Sequence, residues 1–244
     1  MAMIRAKSQN IVKGAKKRAY INKAARKIDN PKMEGVYSGD KLDGLRHGLG
    51  TLTFPNGDKY VGQFDQGMRV GRGTLSTKAG QKYEGQWLQS KRHGEGLETW
   101  PNGDKYEGGY RLDLFEGKGS LKSRSGWYHG YWKNGRKDGK GTMDFHHGAN
   151  YDGYWKDGRF DGRGSYVWAD NRRYDGEWQG GLRHGEGTMN DPNGERYEGQ
   201  WAQGKRHGEG TFRTSNGMCR DGEWHNDELK CWRSKEYFGT RKKK

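Results

Sequence analysis

The sequence predicts an all-β fold, an elongated, twisted single-layer antiparallel β-meander of about nine hairpin repeats with a basic N-terminal helical or extended tail. Three observations predict it. A Tyr-x-Gly-x-aromatic string recurs at intervals of 23 residues, with a single interval of 22. A Gly-x-Gly pair follows eleven residues after the start of eight of the nine copies. The third is a contradiction within the composition. Leu, Ile, Val and Phe supply only 28 of 244 residues and mean hydropathy is −1.33, which alone would describe a disordered polymer. Yet the chain carries 10 Trp, 14 Tyr and 43 Gly. Aromatic rings in that number need burial, and glycine supplies the surface they lie on.

In chain order, the first segment is the basic tail, residues 1–36. Residues 1–32 hold ten Lys or Arg against one acid, Asp29. Ile21, Ala24, Ala25 and Ile28 recur at helical spacing and predict a helix over about 10–28, ending at Asp29-Asn30-Pro31; a solvated arm is the alternative. Its charge suits an acidic surface, with Lys13, Lys16, Lys17, Arg18, Lys23, Arg26 and Lys27 as candidate contacts. Residues 1–28 are basic and free of acids, as a mitochondrial presequence is, but they are poor in Ser and rich in Lys, which argues against a targeting role.

The array, residues 37–226, follows. Its string appears as Tyr60, Gly62, Phe64; Tyr83, Gly85, Trp87; Tyr106, Gly108, Tyr110; Tyr128, Gly130, Trp132; Tyr151, Gly153, Trp155; Tyr174, Gly176, Trp178; and Tyr197, Gly199, Trp201. Degenerate copies flank these, with Lys41 in place of the aromatic at the start and Arg220 in place of the Tyr at the end. Alternate strand residues share a face, so Tyr83, Gly85 and Trp87 point one way and Glu84 and Gln86 the other. Asn56-Gly57, Asn102-Gly103, Asn193-Gly194 and Asn216-Gly217 precede the next strand where tight turns need positive φ. Two strands per unit at about 4.8 Å each predict a rod on the order of 85 Å long.

The unit resembles the MORN repeat, and Tyr197 to Asn216 matches that family's pattern nearly position for position. The resemblance spans about residues 37–226 and implies a repeat scaffold rather than an enzyme. It also implies protein partners, with tubulin or axonemal and cytoskeletal proteins foremost, in the cytoplasm and its cytoskeleton, including a cilium or flagellum. Family members also serve as membrane-associated modules, so anionic phospholipid is the second partner class. RNA within a large particle is the third, resting on the basic tails alone.

The C-terminal cap and tail, residues 227–244, end in Arg241, Lys242, Lys243 and Lys244, a second candidate contact for acidic surfaces. Of the formal charge of +15, only about one unit remains for residues 33–232 once both tails are set aside.

Nothing in the pattern asks for a cofactor or a catalytic role. The Gly-x-Gly pairs recur without a following helix or Gly-Lys-Ser/Thr, so they are structural. His47, His93, His184 and His207 sit at equivalent places, which even in adjacent units lie about 10 Å apart, too far to share a metal ion, and they are expected to pack on the next unit. Glu84, Glu107, Asp152, Asp175, Glu198 and Asp221 form a ladder of equivalent acids, expected to pair with Lys or Arg across strands. Cys219 and Cys231 do not make a disulfide framework. The one break in loop polarity is Leu112, Leu114 and Phe115 in the fourth unit. It predicts either a partner-binding loop or a local apolar patch.

Overall fold

The computed structural model describes residues 35–239. The expected helix over 10–28 and the candidate contacts Lys13, Lys16, Lys17, Arg18, Lys23, Arg26, Lys27 and Arg241 to Lys244 lie outside the described residues. The described residues form one 19-stranded sheet. Its hairpins are β1 (Val36–Leu42) with β2 (Leu45–Thr53), β3 (Lys59–Asp65) with β4 (Met68–Ser76), and β5 (Lys82–Leu88) with β6 (Lys91–Thr99). Next come β7 (Lys105–Arg111) with β8 (Leu114–Ser123), β9 (Gly126–Lys133) with β10 (Arg136–Phe145), and β11 (Asn150–Lys156) with β12 (Arg159–Val167). The last are β13 (Arg173–Gln179) with β14 (Leu182–Asn190), β15 (Arg196–Ala202) with β16 (Lys205–Arg213), and β17 (Met218–His225) with β18 (Glu228–Trp232). Each strand pairs antiparallel with the next, as β2 with β3 and β16 with β17. A short β19 (Tyr237–Phe238) continues the line of β18 along the far side of β17. The all-β meander expected from the period is therefore present.

Glycine and tyrosine together build each unit. In the third, Gly85 lies opposite Gly96 and the Tyr83 ring lies across the pair. A Cβ on Gly96 would stand 2.5 Å from that ring. The Tyr83 hydroxyl donates to the Gln86 carbonyl at 2.8 Å, where the register slips between Gly85 and Trp87. Across the slip Gly94 takes φ +63°, a left-handed conformation that glycine adopts without penalty. The Gln86 side-chain oxygen closes the bulge by accepting from the Glu95 N–H at 3.3 Å. One motif thus supplies a ring, the bare backbone beneath it and the bulge that curves the strand.

Neighbouring units interlock through tryptophan. The Trp87 ring stands edge-on to Tyr83 at 5.1 Å and edge-on to Tyr60 of the preceding unit at 5.2 Å. Its Nε1 donates to the Gly73 carbonyl at 3.0 Å, again in the preceding unit. Trp155, Trp178 and Trp201 repeat that bond to Gly141, Gly164 and Gly187 at 3.1, 3.1 and 3.0 Å. Edge-to-face pairs add about 1 kcal/mol beyond area burial. The result is a single seam of rings from Tyr37 to Trp232.

A second link runs along the hairpin loops. The Ser90, Asp113, Gly204 and Asp227 N–H groups donate to the carbonyls of Arg69, Arg92, Arg183 and Arg206 in the preceding units, at 2.9 to 3.0 Å. The side chains of those arginines lie against the ring seam, as Arg69 over Trp87 at 4.3 Å and Arg183 over Trp201 at 4.4 Å. Lys137 takes this place in the fifth unit, 4.6 Å from both Tyr128 and Trp155, and burial pushes its ammonium down to about 8. Phe160 takes it in the sixth, stacked on Tyr151 at 3.8 Å.

Candidate functional site

Phe115 occupies this same ring-covering place in the fourth unit. It stacks on Tyr106 at 3.7 Å with planes 10° apart and meets Trp132 edge-on at 5.1 Å. Leu112 and Leu114 instead remain 52% and 46% exposed at the loop tip. The three residues expected to act together are thus divided between the seam and the surface. The loop is held by Asp113, whose carboxylate accepts from the Arg92 backbone N–H at 2.9 Å and pairs with Lys91 at 2.8 Å. Burial raises the Asp113 pKa, but the bonds from Lys91 and Arg92 outweigh it and leave the carboxyl below its usual range. We expect Phe115→Ser to destabilise the chain by about 3 kcal/mol, while Leu112→Ser and Leu114→Ser together change stability by less than about 0.5 kcal/mol each. Urea titration checks this; equal effects at the three positions would contradict the division.

Next to this loop the seam contains a buried carboxylate. Glu98 is 1% exposed, at the place held by Leu52, Leu75 and Leu121 in other units. It pairs with Arg92, accepts from Gln81 Nε2 at 2.6 Å and from the Tyr110 hydroxyl at 2.8 Å. Burial and then the Glu98 charge push the Tyr110 hydroxyl pKa up. These bonds are all internal, so the cluster ties the third and fourth units together. Among the described residues no group of three or more His, Cys, Asp or Glu could hold a metal ion.

On the outer face, the acid ladder pairs differently from the cross-strand expectation. Lys82 with Glu84, Lys105 with Glu107, Arg173 with Asp175 and Arg196 with Glu198 are ion pairs two residues apart on the same strand, at 2.8, 3.1, 2.7 and 2.7 Å. The residues opposite these acids carry no charge, as Thr74 and Leu97 opposite Glu84 and Ser165 opposite Asp175. Residues i and i+2 share a face and bring the base within reach instead. Of the histidines, His47 Nδ1 lies 3.3 Å from Asp65 of the next unit and the His207 ring lies 4.8 Å from that of His225. Cys219 and Cys231 are both free thiols, and Cys219 is buried.

The outer face changes character at β9. Where β5 presents Lys82, Glu84 and Gln86, β9 presents Trp127, His129 and Tyr131. Trp127 and Tyr131 are 47% and 44% exposed, and Tyr154, in the next unit at the place of Tyr131, is 51% exposed. Lys118 faces Tyr131 across the β8–β9 pair and Lys140 faces Tyr154 across β10–β11. The row that crosses β8 to β12 therefore reads Lys118, Tyr131, Lys140, Tyr154, Arg163. Lys118 Nζ lies 5.6 Å from the Tyr131 ring and Lys122 Nζ 5.3 Å from the Trp127 ring.

These two tyrosines replace a structural group. At the same place Gln63, Gln86 and Gln200 cap the bulge N–H of Arg72, Glu95 and Glu209, at 3.1, 3.3 and 3.2 Å. Tyrosine has no amide oxygen for that bond. Two successive units give up a local hydrogen bond and place rings in solvent. The sequence contains this signal, because Trp127, His129 and Tyr131 alternate at period two on the face opposite Tyr128 and Trp132. It is hidden among the seam aromatics unless each strand is divided by parity.

Three comparisons bear on the chain. The model described as MORN repeat matches residues 37–59, 60–81, 83–105, 106–127, 128–148, 151–171, 174–196 and 197–219. The hairpin of β17 and β18 extends beyond the last of these matches. No curated protein sequence matches the chain. Among solved structures, the TCP domain of SAS-4 (dCPAP) from Drosophila melanogaster, in complex with a proline rich motif of Ana2 (dSTIL), is similar at 13% identity and TM-score 0.39, covering 75% of this chain and 95% of that one. A mutant TCP10 domain of Danio rerio CPAP is similar at 12% identity and TM-score 0.40, covering 80% and 92%. At these values neither likeness carries an argument about function. No helix among the described residues is long and apolar enough to cross a membrane.

Proposed function

The chain belongs to the MORN-repeat family, and from that premise we propose a non-enzymatic scaffold of the cytoskeleton that docks protein partners along its sheet and grips acidic surfaces through its basic tails. The observation that carries the docking half is the aromatic and cationic outer face of β8 to β12. The seam already buries the rings that hold the fold, so the exposed Trp127, Tyr131 and Tyr154 are surplus to it. The electrostatic half rests on charge. Of the formal net charge of +15, a net +14 lies outside residues 33–232, and two basic segments flanking one sheet bind bivalently to a surface long enough to reach both. Microtubules in the cytoplasm, or in a cilium or flagellum, satisfy that length requirement.

Deleting residues 1–32 should weaken co-sedimentation with microtubules strongly while leaving the far-UV spectrum of the array intact. Deleting 239–244 should weaken it less. Raising salt should mimic both losses, because exposed charges are screened over about 10 Å at 0.1 M. Parallel runs with anionic vesicles and RNA separate the other acidic surfaces. Tail-deleted protein that pellets as strongly as the intact chain at every salt concentration would contradict the reading.

A further inference from the structure

The geometry points to an acidic, proline-rich segment in polyproline II conformation as the occupant of the outer face of β8 to β12. This rests on the scaffold reading and names the chemistry of the partner. Tyr131 and Tyr154 stand at equivalent places in successive units, two strands apart, which sets them about 9.6 Å from each other along the direction that crosses the strands. A polyproline II helix has three residues per turn and a rise of about 3.1 Å, so every third residue returns to the same side after about 9.3 Å. Prolines at positions i and i+3 of such a helix therefore meet both rings at once.

Cations lie between the rings at the same period. Lys118, Lys140 and Arg163 lie in the row with Tyr131 and Tyr154, each displaced from a tyrosine by one strand, about 4.8 Å. The residues one and two places after each proline lie about 3.1 and 6.2 Å along the helix and bracket that displacement. An acidic side chain at either place reaches a cation. Flanking this stretch the row carries acids, with Glu95 on one side and Glu177, Glu186 and Glu209 on the other, and the cation Arg72 lies only beyond Glu95. The charge of the row thus confines an acidic ligand to five strands, about the span of two to three polyproline turns.

Flat aromatic surfaces suit this ligand because proline rings stack on them without losing chain entropy that the helix has already surrendered. A single nucleic-acid strand would also use rings and cations. What favours the peptide is its repeat of about 9.3 Å, which sets one proline on each ring, and nucleic acid is an outcome of the test below.

Fluorescence anisotropy of the full chain tests the assignment with a labelled (Pro-Pro-Glu)4 peptide. A (Gly-Gly-Glu)4 peptide keeps the charge but not the helix, and an oligouridylate represents nucleic acid. The variant is Tyr131→Gln with Tyr154→Gln, which installs the residue other units use to cap the bulge and so preserves folding. The proline peptide should bind the native chain about tenfold or more tightly than the glycine peptide, and the double variant should lose about tenfold. Equal binding of the two peptides, or undiminished binding by the variant, overturns the assignment. So does tyrosine-dependent binding of the oligouridylate with no binding of the proline peptide. None of these outcomes alters microtubule co-sedimentation through the tails, so failure here and failure of the scaffold reading are distinguishable.

Discussion

Gly164→Ala is expected to cost about 3 kcal/mol or more of unfolding free energy. The new Cβ would lie 2.4 Å from the Tyr151 hydroxyl and 2.6 Å from its ring. The ring has no free side to move toward. Phe160 stacks on it at 3.8 Å, Trp155 and Trp178 stand edge-on to it, and its hydroxyl donates to the Tyr154 carbonyl at 2.8 Å. Overpacking must therefore open the seam between two units. Gly158→Ala is the control, since a Cβ there meets nothing within 4 Å and only the left-handed φ of +82° resists it. That strain costs about 1 kcal/mol. Denaturant unfolding of both variants decides the matter, and a Gly164→Ala cost no larger than the control would refute the close ring approach.

The array is expected to withstand pH up to about 10 and to unfold steeply above it. Burial pushes the hydroxyls of Tyr60 and Tyr197 up to about 12, against the lowering pull of Arg69 and Arg206. Burial raises Tyr83, Tyr106, Tyr128, Tyr151 and Tyr174 as well. A raised folded pKa gives stability that is complete below the unfolded value, about 10, and is lost as pH climbs toward the folded one. Over that window the unfolded chain releases protons that the folded chain keeps. Each such tyrosine contributes a slope of up to about 1.4 kcal/mol per pH unit, and all seven act together. Lys137 acts in the opposite direction between about pH 8 and 10, because the unfolded chain there binds the proton its buried ammonium has lost. Tyrosinate absorbance and the far-UV β signal should change together in one transition. Ionisation of the seam tyrosines at an ordinary midpoint, with the β signal retained, would be incompatible with this account.

Much of the fold was legible because the repeat carries its own parity. Tyr83, Gly85 and Trp87 share a face in the sequence and in the sheet, and their period states the number of hairpins. What could not be read was the distance over which each side chain acts. Trp87 bonds a carbonyl 14 residues earlier, a relation set by the slip of the register and by curvature, neither of which a string of letters displays. Arg69 and Arg92 follow hairpin turns directly, yet they belong to strands and lie against rings. Phe115 looked like an intrusion into a loop for the same reason. It occupies the arginine's place and does the arginine's work without charge. The ion pairs went to i+2 partners because the residues opposite the acids carry no charge, a matter of strand register that the period alone does not state. The outer aromatics of β9 were readable in principle, but a chain so rich in Tyr and Trp conceals three more.

The way rings overlap from unit to unit also explains why the two ends of the array look worn. Each tyrosine is covered by the aromatic of the following unit, as Tyr60 by Trp87 and Tyr197 by Trp224. A unit thus has a socket, its tyrosine, and a plug, its second aromatic, and the coupling runs one way along the chain. The first unit needs only a socket, and it has Tyr37, which Phe64 fills, while Lys41 stands where a plug would have no predecessor to enter. The ninth needs only a plug, and it has Trp224, while Arg220 replaces the tyrosine and turns to cover Trp232 at 4.6 Å. The degenerate copies are therefore terminators. Internal units can be added or removed in evolution or by design, provided these two half-units remain at the ends.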